Sequence, residues 1–401
     1  MNTLRPSKTF RIAMIPTSNA GVNYYRMASY AFEMRKYRNT EAALFAFQYD
    51  MNEVHPWQKD FAENPNVREN IEDLCDKSDV VIWQPVHYPH TLDFFLEMQH
   101  RYQKPMLIEL DDNFVDVPEW SEAFEAYQAN SSYRKESITQ MKYADGLIVS
   151  TPYLRDVYSQ FNERISIVPN SLDFKGDSKF VGWDQVSVRK HKGTRIGWIA
   201  GRAHFNDLMM VAPAVKEVLL RYPEVTFCLV NSALQRSCEL LGKPYPFEGL
   251  KNVHYADRSV PINRYAKFMA SFGFDIGIAP LVDCNFNRSK SNLRWLEYSA
   301  LKLPTIATSI SNFKESISEG NTGILIQDND LQKWAEAMSF LVEDSVSRET
   351  IGRNAYKQVK KYFNVKNNAP KYIRHLKEIA NQPLAGDLSD LSDEFSLAVG
   401  V

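Results

Sequence analysis

A chain of 401 residues with 44% hydrophobic and 24% charged content exceeds one comfortable core and suits a globular protein of two domains. Its 47 basic and 49 acidic side chains leave a formal net charge of −2 with no long basic block, which argues against broad electrostatic binding to nucleic acid. No apolar run approaches the roughly 20 residues that span a bilayer. Cys75, Cys228, Cys238 and Cys284 lack metal-ligand spacing, so free thiols and a cytoplasmic location are expected.

The opening MNTLRPSKTFRIAMIP has a basic flank but only a short apolar run, and it reads as a lead into a strand rather than a signal peptide. Segment 10–16 is that strand. A glycine loop then opens an amphipathic helix, with Gly21 letting backbone approach a ligand and Tyr24, Tyr25 and Arg26 at the helix start. Segments 42–49 and 79–84 are the next strands, with a short helix at 71–77 between them. PVHYPHT follows, placing His87 and His90 beyond a strand's carboxyl end, where ligands sit in α/β sheets. Segment 105–110 is a fourth strand ending in Asp111 and Asp112. That carboxylate pair could hold a divalent metal, orient a hydroxyl or cap a turn. A helical stretch at 121–143, a strand at 144–151, a helix at 153–161 and a strand at 165–170 close the first half. The charged stretch 175–192 has no period and reads as a linker.

The second half repeats the alternation. Segment 194–200 is a strand, and Gly201 with Arg202 at the head of a helix running to 221 suits a pyrophosphate. Strands at 225–230 and 252–255 follow, then a helix at 262–271 preceded by Asp257 and Arg258. The densest signal is FDIGIAPLVDCNFNRSKSNLRWLEYSALKLPTIAT, 274–308. It predicts a buried strand stopped at Pro280, a polar loop, a helix starting at Ser289 or Ser291, and a second buried strand after Pro304. Lys290, Arg294 and Glu297 share one helix face. Two cations near a helix N-terminus suit a diphosphate, and a carboxylate further along suits the vicinal hydroxyls of a ribose. A plain Arg294–Glu297 surface pair, worth ~0.3 kcal/mol, would give the same spacing. A short helix at 312–318, a turn and strand at 320–326, a helix at 331–342 and an acidic, mobile tail at 384–401 complete the reading.

KSNLRWLEYSALKLPTIAT resembles the nucleotide-sugar-binding helix of retaining glycosyltransferases of the broad family-4 group, which have the GT-B architecture of two Rossmann-like domains facing a cleft. Their motif runs E-x7-E before G-x-P-V-[IV]-[AG]-[TS]. Glu297 falls on the second glutamate, which binds the ribose there; Ser289 falls on the first, so the usual acidic contact to the donor sugar is missing. Some branches carry K-S-x-x-[KR]-x-x-E instead, and this chain matches that form. GVNYYR, IELDDNFVDVPEW, PNSLD and GWIAGRAHFNDL resemble further elements of the same enzymes, extending the likeness over roughly 10 to 363.

The resemblance implies an acceptor-side domain at 1–174, a linker at 175–193 and a nucleotide-sugar domain at 194–383. Arg202 and Lys290 would neutralise the leaving diphosphate. Gly21, Gly201, His204, Arg258, Ser291, Asn292, Arg294 and Glu297 would meet the donor, and Tyr24, Tyr25, Arg26, His87, Asp111 and Asp112 would lie on the acceptor side. Many relatives have a lysine five residues after the arginine; Asp207 stands there in this chain, and Lys290 is expected to supply that cation. Neither a cofactor nor a catalytic metal is expected. The implied reaction moves a sugar from a nucleoside-diphosphate donor, a UDP-sugar first, to a hydroxyl of a saccharide, lipid-linked glycan or small molecule, with retention. Two alternatives stand beside it. One is a phage-type transferase acting on a hydroxylated DNA base, served by Tyr24, Tyr25, Arg26, Tyr133, Arg134 and Lys135. The other is a non-catalytic nucleotide-sugar-binding module, suggested by Ser289 and Asp207.

Overall fold

The computed structural model describes residues 8–17, 21–45, 64–121, 123–177, 179–201, 204–230, 234–258 and 260–384. The expected tail at 384–401, apart from its first residue, and Arg202 lie outside them. Short aliphatic strands alternating with helices build two parallel sheets of six strands each. The first contains β1 (Phe10–Ile15), β2 (Thr40–Leu44), β3 (Val80–Trp83), β4 (Met106–Leu110), β5 (Gly146–Val149) and β6 (Ile165–Ile167), in the order β2-β1-β3-β4-β5-β6. The second contains β7 (Arg195–Ile199), β8 (Thr226–Val230), β9 (Val253–Ala256), β10 (Ile276–Ala279), β11 (Thr305–Thr308) and β12 (Ile324–Ile326), ordered β12-β11-β10-β7-β8-β9. The strands β3, β10 and β11 are buried throughout, because helices cover both faces of a parallel sheet.

Strand order reverses between β1 and β3 and again between β7 and β10. An open α/β sheet leaves a crevice outside the carboxyl ends of its strands at such a point. In the second domain this sets the turns after Ile199 and Ala279 side by side. Gly277 on β10 permits the packing behind them: a Cβ there would collide with the ring of Tyr298, which lies flat on the strand.

Several elements differ from the sequence reading. The helix expected at 71–77 runs Pro65–Lys77, because Asn64 caps it and Pro65 fits its first turn. Helices Pro89–Tyr102, Leu234–Leu240, Ser345–Tyr362 and Val365–Ala380 were not foreseen. The last matters most. Val365, Ala369, Tyr372 and Leu376 pack against Ile12, Met14, Ile82 and Leu107 of the first sheet. The span expected to form the second domain, 194–383, therefore ends in a helix that returns to the first one. The first-domain helix entering at Gly21 widens to π geometry over Tyr24–Ala28. Tyr24, Tyr25 and Ala28 share a core with Phe180, Trp183, Ile262 and Leu296, so apolar packing is continuous between the halves.

Candidate active site

The turn after β10 is shaped by one buried carboxylate. Asp207 Oδ1 accepts from the Val282 backbone N–H at 2.7 Å and from Asn287 Nδ2 at 2.9 Å, while Oδ2 meets His204 Nδ1 at 2.7 Å. A single helical turn, Asn285–Arg288, occupies the expected loop, and the main helix is Leu293–Ala300. It does not start at Ser289, whose Oγ donates back to the Asn285 carbonyl at 2.8 Å and so closes the preceding turn. Ser291 Oγ accepts from Asn170 Nδ2 at 2.8 Å, and Asn292, the residue before Leu293–Ala300, makes no side-chain cap to its first N–H groups. Those groups stay available to an anion.

A cavity of about 180 Å³ lies in front of this turn, between the domains. His204, Lys290, Ser291 and Arg294 of the second domain line one side, and Val22, Asp111 and Asp112 of the first domain line the other. Trp198, Leu281 and Phe313 supply apolar floor. Lys290 Nζ pairs with Asp112 Oδ1 at 2.6 Å and sits 4.3 Å from the Phe286 ring centroid. Arg294 Nη1 is buried with no hydrogen-bond partner among the described residues. Burial lowers the pKa of His204, opposed by Asp207 and reinforced by the Arg294 cation. A neutral imidazole donating Nδ1–H to Asp207 presents Nε2 as an acceptor.

Glu297 is placed differently from the expectation that it faces a ligand. It is 5% exposed and does not line this cavity. The Tyr25 hydroxyl, from the first domain, donates to its Oε1 at 2.9 Å, and Tyr265 reaches Oε2 at 3.5 Å. Burial pushes its carboxyl up to about 7 against the opposing pull of Arg294 and both tyrosines.

Four expected donor contacts therefore line the cavity: His204, Lys290, Ser291 and Arg294. Gly201 is exposed and not on the cavity wall, and a Cβ there would meet no neighbour within 4 Å. Gly21 precedes the lining residue Val22. Asn292 turns away, donating to Ser316 Oγ at 2.8 Å. Arg258 is exposed, lies 5.2 Å from the Phe268 ring centroid and is not on the cavity wall. On the first-domain side Asp111 and Asp112 line the cavity, whereas Tyr24, Tyr25 and Arg26 are buried. Arg26 is consumed by the interior: Nε meets Glu109 Oε1 at 2.5 Å, and Nη1 donates to the Val168 carbonyl at 2.6 Å and to Asn170 Oδ1 at 3.0 Å. A carboxylate buried at the end of β4 needs such a partner. His87 stacks on Tyr133, with centroids 5.0 Å apart, and burial lowers its pKa to about 4; it too is off the cavity wall.

Sequence reading missed Asp207 as an organiser, Asn170 as the bridge to Ser291, and Tyr265. The three-residue spacing of His204 and Asp207 at a helix start was the available signal for the first. Among the described residues, no three His, Cys, Asp or Glu side chains converge as a metal site, and no helix is long and apolar enough to cross a membrane. A larger groove of about 760 Å³ at the β12 edge is lined by Ile324, Phe340 and Val346, and its Lys333 and Glu336 pair with each other. Size alone does not mark the site; polar groups converging from both domains do.

Residues 194–344 match the family model described as Glycosyl transferases group 1. The capsular polysaccharide biosynthesis glycosyltransferase CapM of Staphylococcus aureus is 34% identical over 68 residues, which is 17% of this chain and 18% of that protein. The crystal structure of Anabaena HepE in complex with UDP-glucose superposes with a TM-score of 0.61 at 14% identity, covering 92% of this chain and 99% of HepE. Sucrose-phosphate synthase from Thermosynechococcus elongatus gives 0.64 at 15% identity, with the same coverages of 92% and 99%. The fold is that of GT-B proteins, two Rossmann-like domains facing a cleft, and the family match falls on the second domain.

Proposed function

We propose that this chain is a glycosyltransferase that moves a sugar from a nucleoside-diphosphate donor, of the UDP-sugar class, to an acceptor hydroxyl with retention of configuration. The observation that carries the reading is the convergence of Lys290, Arg294 and an uncapped helix start on one cavity at the β7/β10 switch point. The match of that domain to a glycosyltransferase family supports it. So do the similarity of a short stretch to the glycosyltransferase CapM and the likeness of the fold to HepE, a protein seen in complex with UDP-glucose.

The diphosphate lies against Lys290 and Arg294, with its oxygens toward the free N–H groups at the start of Leu293–Ala300. As the bond from the anomeric carbon to the phosphate oxygen breaks, these cations neutralise the charge growing on the leaving group. A bond then forms from the acceptor oxygen to the same face of the anomeric carbon, and the acceptor proton passes to the departing diphosphate. His204 Nε2, held by Asp207, accepts a hydrogen bond from a sugar hydroxyl rather than adding a third charge. Burial of the reacting groups between two domains excludes water that would hydrolyse the donor.

The test is a thermal-shift and hydrolysis screen against UDP-, GDP-, ADP- and dTDP-sugars, with Lys290→Ala as control. A donor that raises the melting temperature and is slowly hydrolysed, with hydrolysis lost in the variant, supports the reading. No shift with any nucleotide or nucleotide sugar refutes it.

A further inference from the structure

We infer that Asp111 and Asp112 bind the hydroxyl groups of the transferred sugar and determine which sugar the site accepts. This rests on the nucleotide-sugar reading above. The cavity is polarised: His204, Lys290 and Arg294 line it from the second domain, and the carboxylates lining it, Asp111 and Asp112, come from the first. A sugar nucleotide has the matching polarity, with an anionic diphosphate at one end and a neutral polyol at the other. Carboxylates repel the first and accept two or more O–H bonds from the second.

The second observation is the buried scaffold behind Asp111. Arg26, 1% exposed, carries Asn170 on Nη1, and Asn170 Nδ2 in turn reaches Asp111 Oδ1 at 3.4 Å and Ser291 Oγ at 2.8 Å. The Arg26 charge is further supported by Asp111 itself, and its Nη2 has no hydrogen bond among the described residues. A surface turn needs no such buried scaffold. Asp112 is fixed by its main chain, whose carbonyl accepts from the Tyr158 hydroxyl at 2.5 Å, while its carboxylate holds Lys290. When a diphosphate takes Lys290, the Asp112 carboxylate is released next to the sugar. The donor helix cannot provide this contact from 289, because Ser289 is buried, with its Oγ on Asn113 and its carbonyl on Thr151.

The experiment titrates UDP and UDP-glucose into wild type, Asp111→Asn and Asp112→Asn by calorimetry. UDP binding by the wild type reports on the nucleotide reading; the UDP-glucose to UDP affinity ratio reports on the carboxylates. Each variant should bind UDP within about threefold of wild type or tighter, while the ratio falls roughly tenfold, as expected for a hydrogen bond to a charged group. Asp112 has 43% of its side chain exposed, so its amide variant keeps the test open even where Asp111→Asn misfolds. The inference is overturned where UDP and UDP-glucose weaken equally, where they strengthen equally because the carboxylates merely compete with the diphosphate, or where wild type binds them alike.

Discussion

Glu297 makes the folded protein sensitive to pH in a direction opposite to that of paired carboxylates, whose native-state values are lowered. Its carboxyl sits at about 7, chiefly through burial, against an ordinary glutamate value of 4.5. Below pH 4.5 the folded and unfolded chains both hold the proton, and there is no penalty. Between 4.5 and 7 the unfolded chain ionises first, so stability falls as pH rises; above 7 the loss is constant, on the order of 3 kcal/mol. His87, lowered by burial to about 4 from 6.5, acts with the opposite sign over nearly the same window, because there the unfolded chain binds the proton. The wild-type profile is therefore flattened, and the informative quantity is a difference. Glu297→Gln keeps an acceptor for the Tyr25 hydroxyl and removes the titration. Its melting temperature relative to wild type should climb between pH 5 and pH 8 by roughly 6 °C, at 2–4 °C per kcal/mol for domains of this size. Differential scanning fluorimetry across that range measures it. Parallel curves for the two proteins would refute a raised carboxyl at 297.

Lys290→Ala should lower donor turnover by about 10²- to 10³-fold, read by steady-state kinetics, with little change in melting because Lys290 pairs only at the cavity. Arg26→Met alone should cost about 3–5 kcal/mol by leaving Glu109 buried and unpaired, whereas Arg26→Met with Glu109→Leu should cost less than the sum of the single changes. Urea unfolding of the four proteins in that cycle decides it. Gly277→Ala drives a methyl into the Tyr298 ring and should cost about 1–3 kcal/mol, seen as a lower melting temperature.

The alternation of short aliphatic runs with amphipathic helices made the two-sheet plan legible, because parallel strands buried on both faces announce themselves as continuous apolar segments. Pro280 and Pro304 bracketed the donor helix correctly, since neither can extend a ladder or helix through its own position. Local patterns failed where the partner is remote. Nothing near Arg26 says that Glu109, 83 positions away, will take its charge, so a basic residue at a helix start read as a surface ligand contact. Val365–Ala380 has a plain apolar stripe, but which sheet it covers depends on where the chain crosses back, at the bridge between Leu172 and Asn364. The helix start was misplaced because Ser289 serves the preceding turn, a choice its composition shares with capping.

The segment from Ser289 through the helix Leu293–Ala300 is held from the first domain at successive points: Asn113 and Thr151 on Ser289, Asp112 on Lys290, Asn170 on Ser291, and Tyr25 on Glu297. These contacts do not exchange with a ligand in the same way. Lys290 lines the cavity, so the proposed diphosphate would meet it by displacing Asp112 alone. Glu297 is covered by Tyr25, so if the proposed donor places its ribose on this carboxylate, that hydroxyl has to leave first. Tyr25→Phe removes a hydrogen bond to a buried carboxyl, worth about 1.5–3 kcal/mol when the acceptor is charged. The association rate of UDP, followed by stopped-flow fluorescence at pH 8, should rise by about tenfold or more, while the inhibition constant of pyrophosphate stays put. Equal effects on both ligands would mean that the nucleoside and the diphosphate enter the same preformed space, and that Tyr25 gates neither.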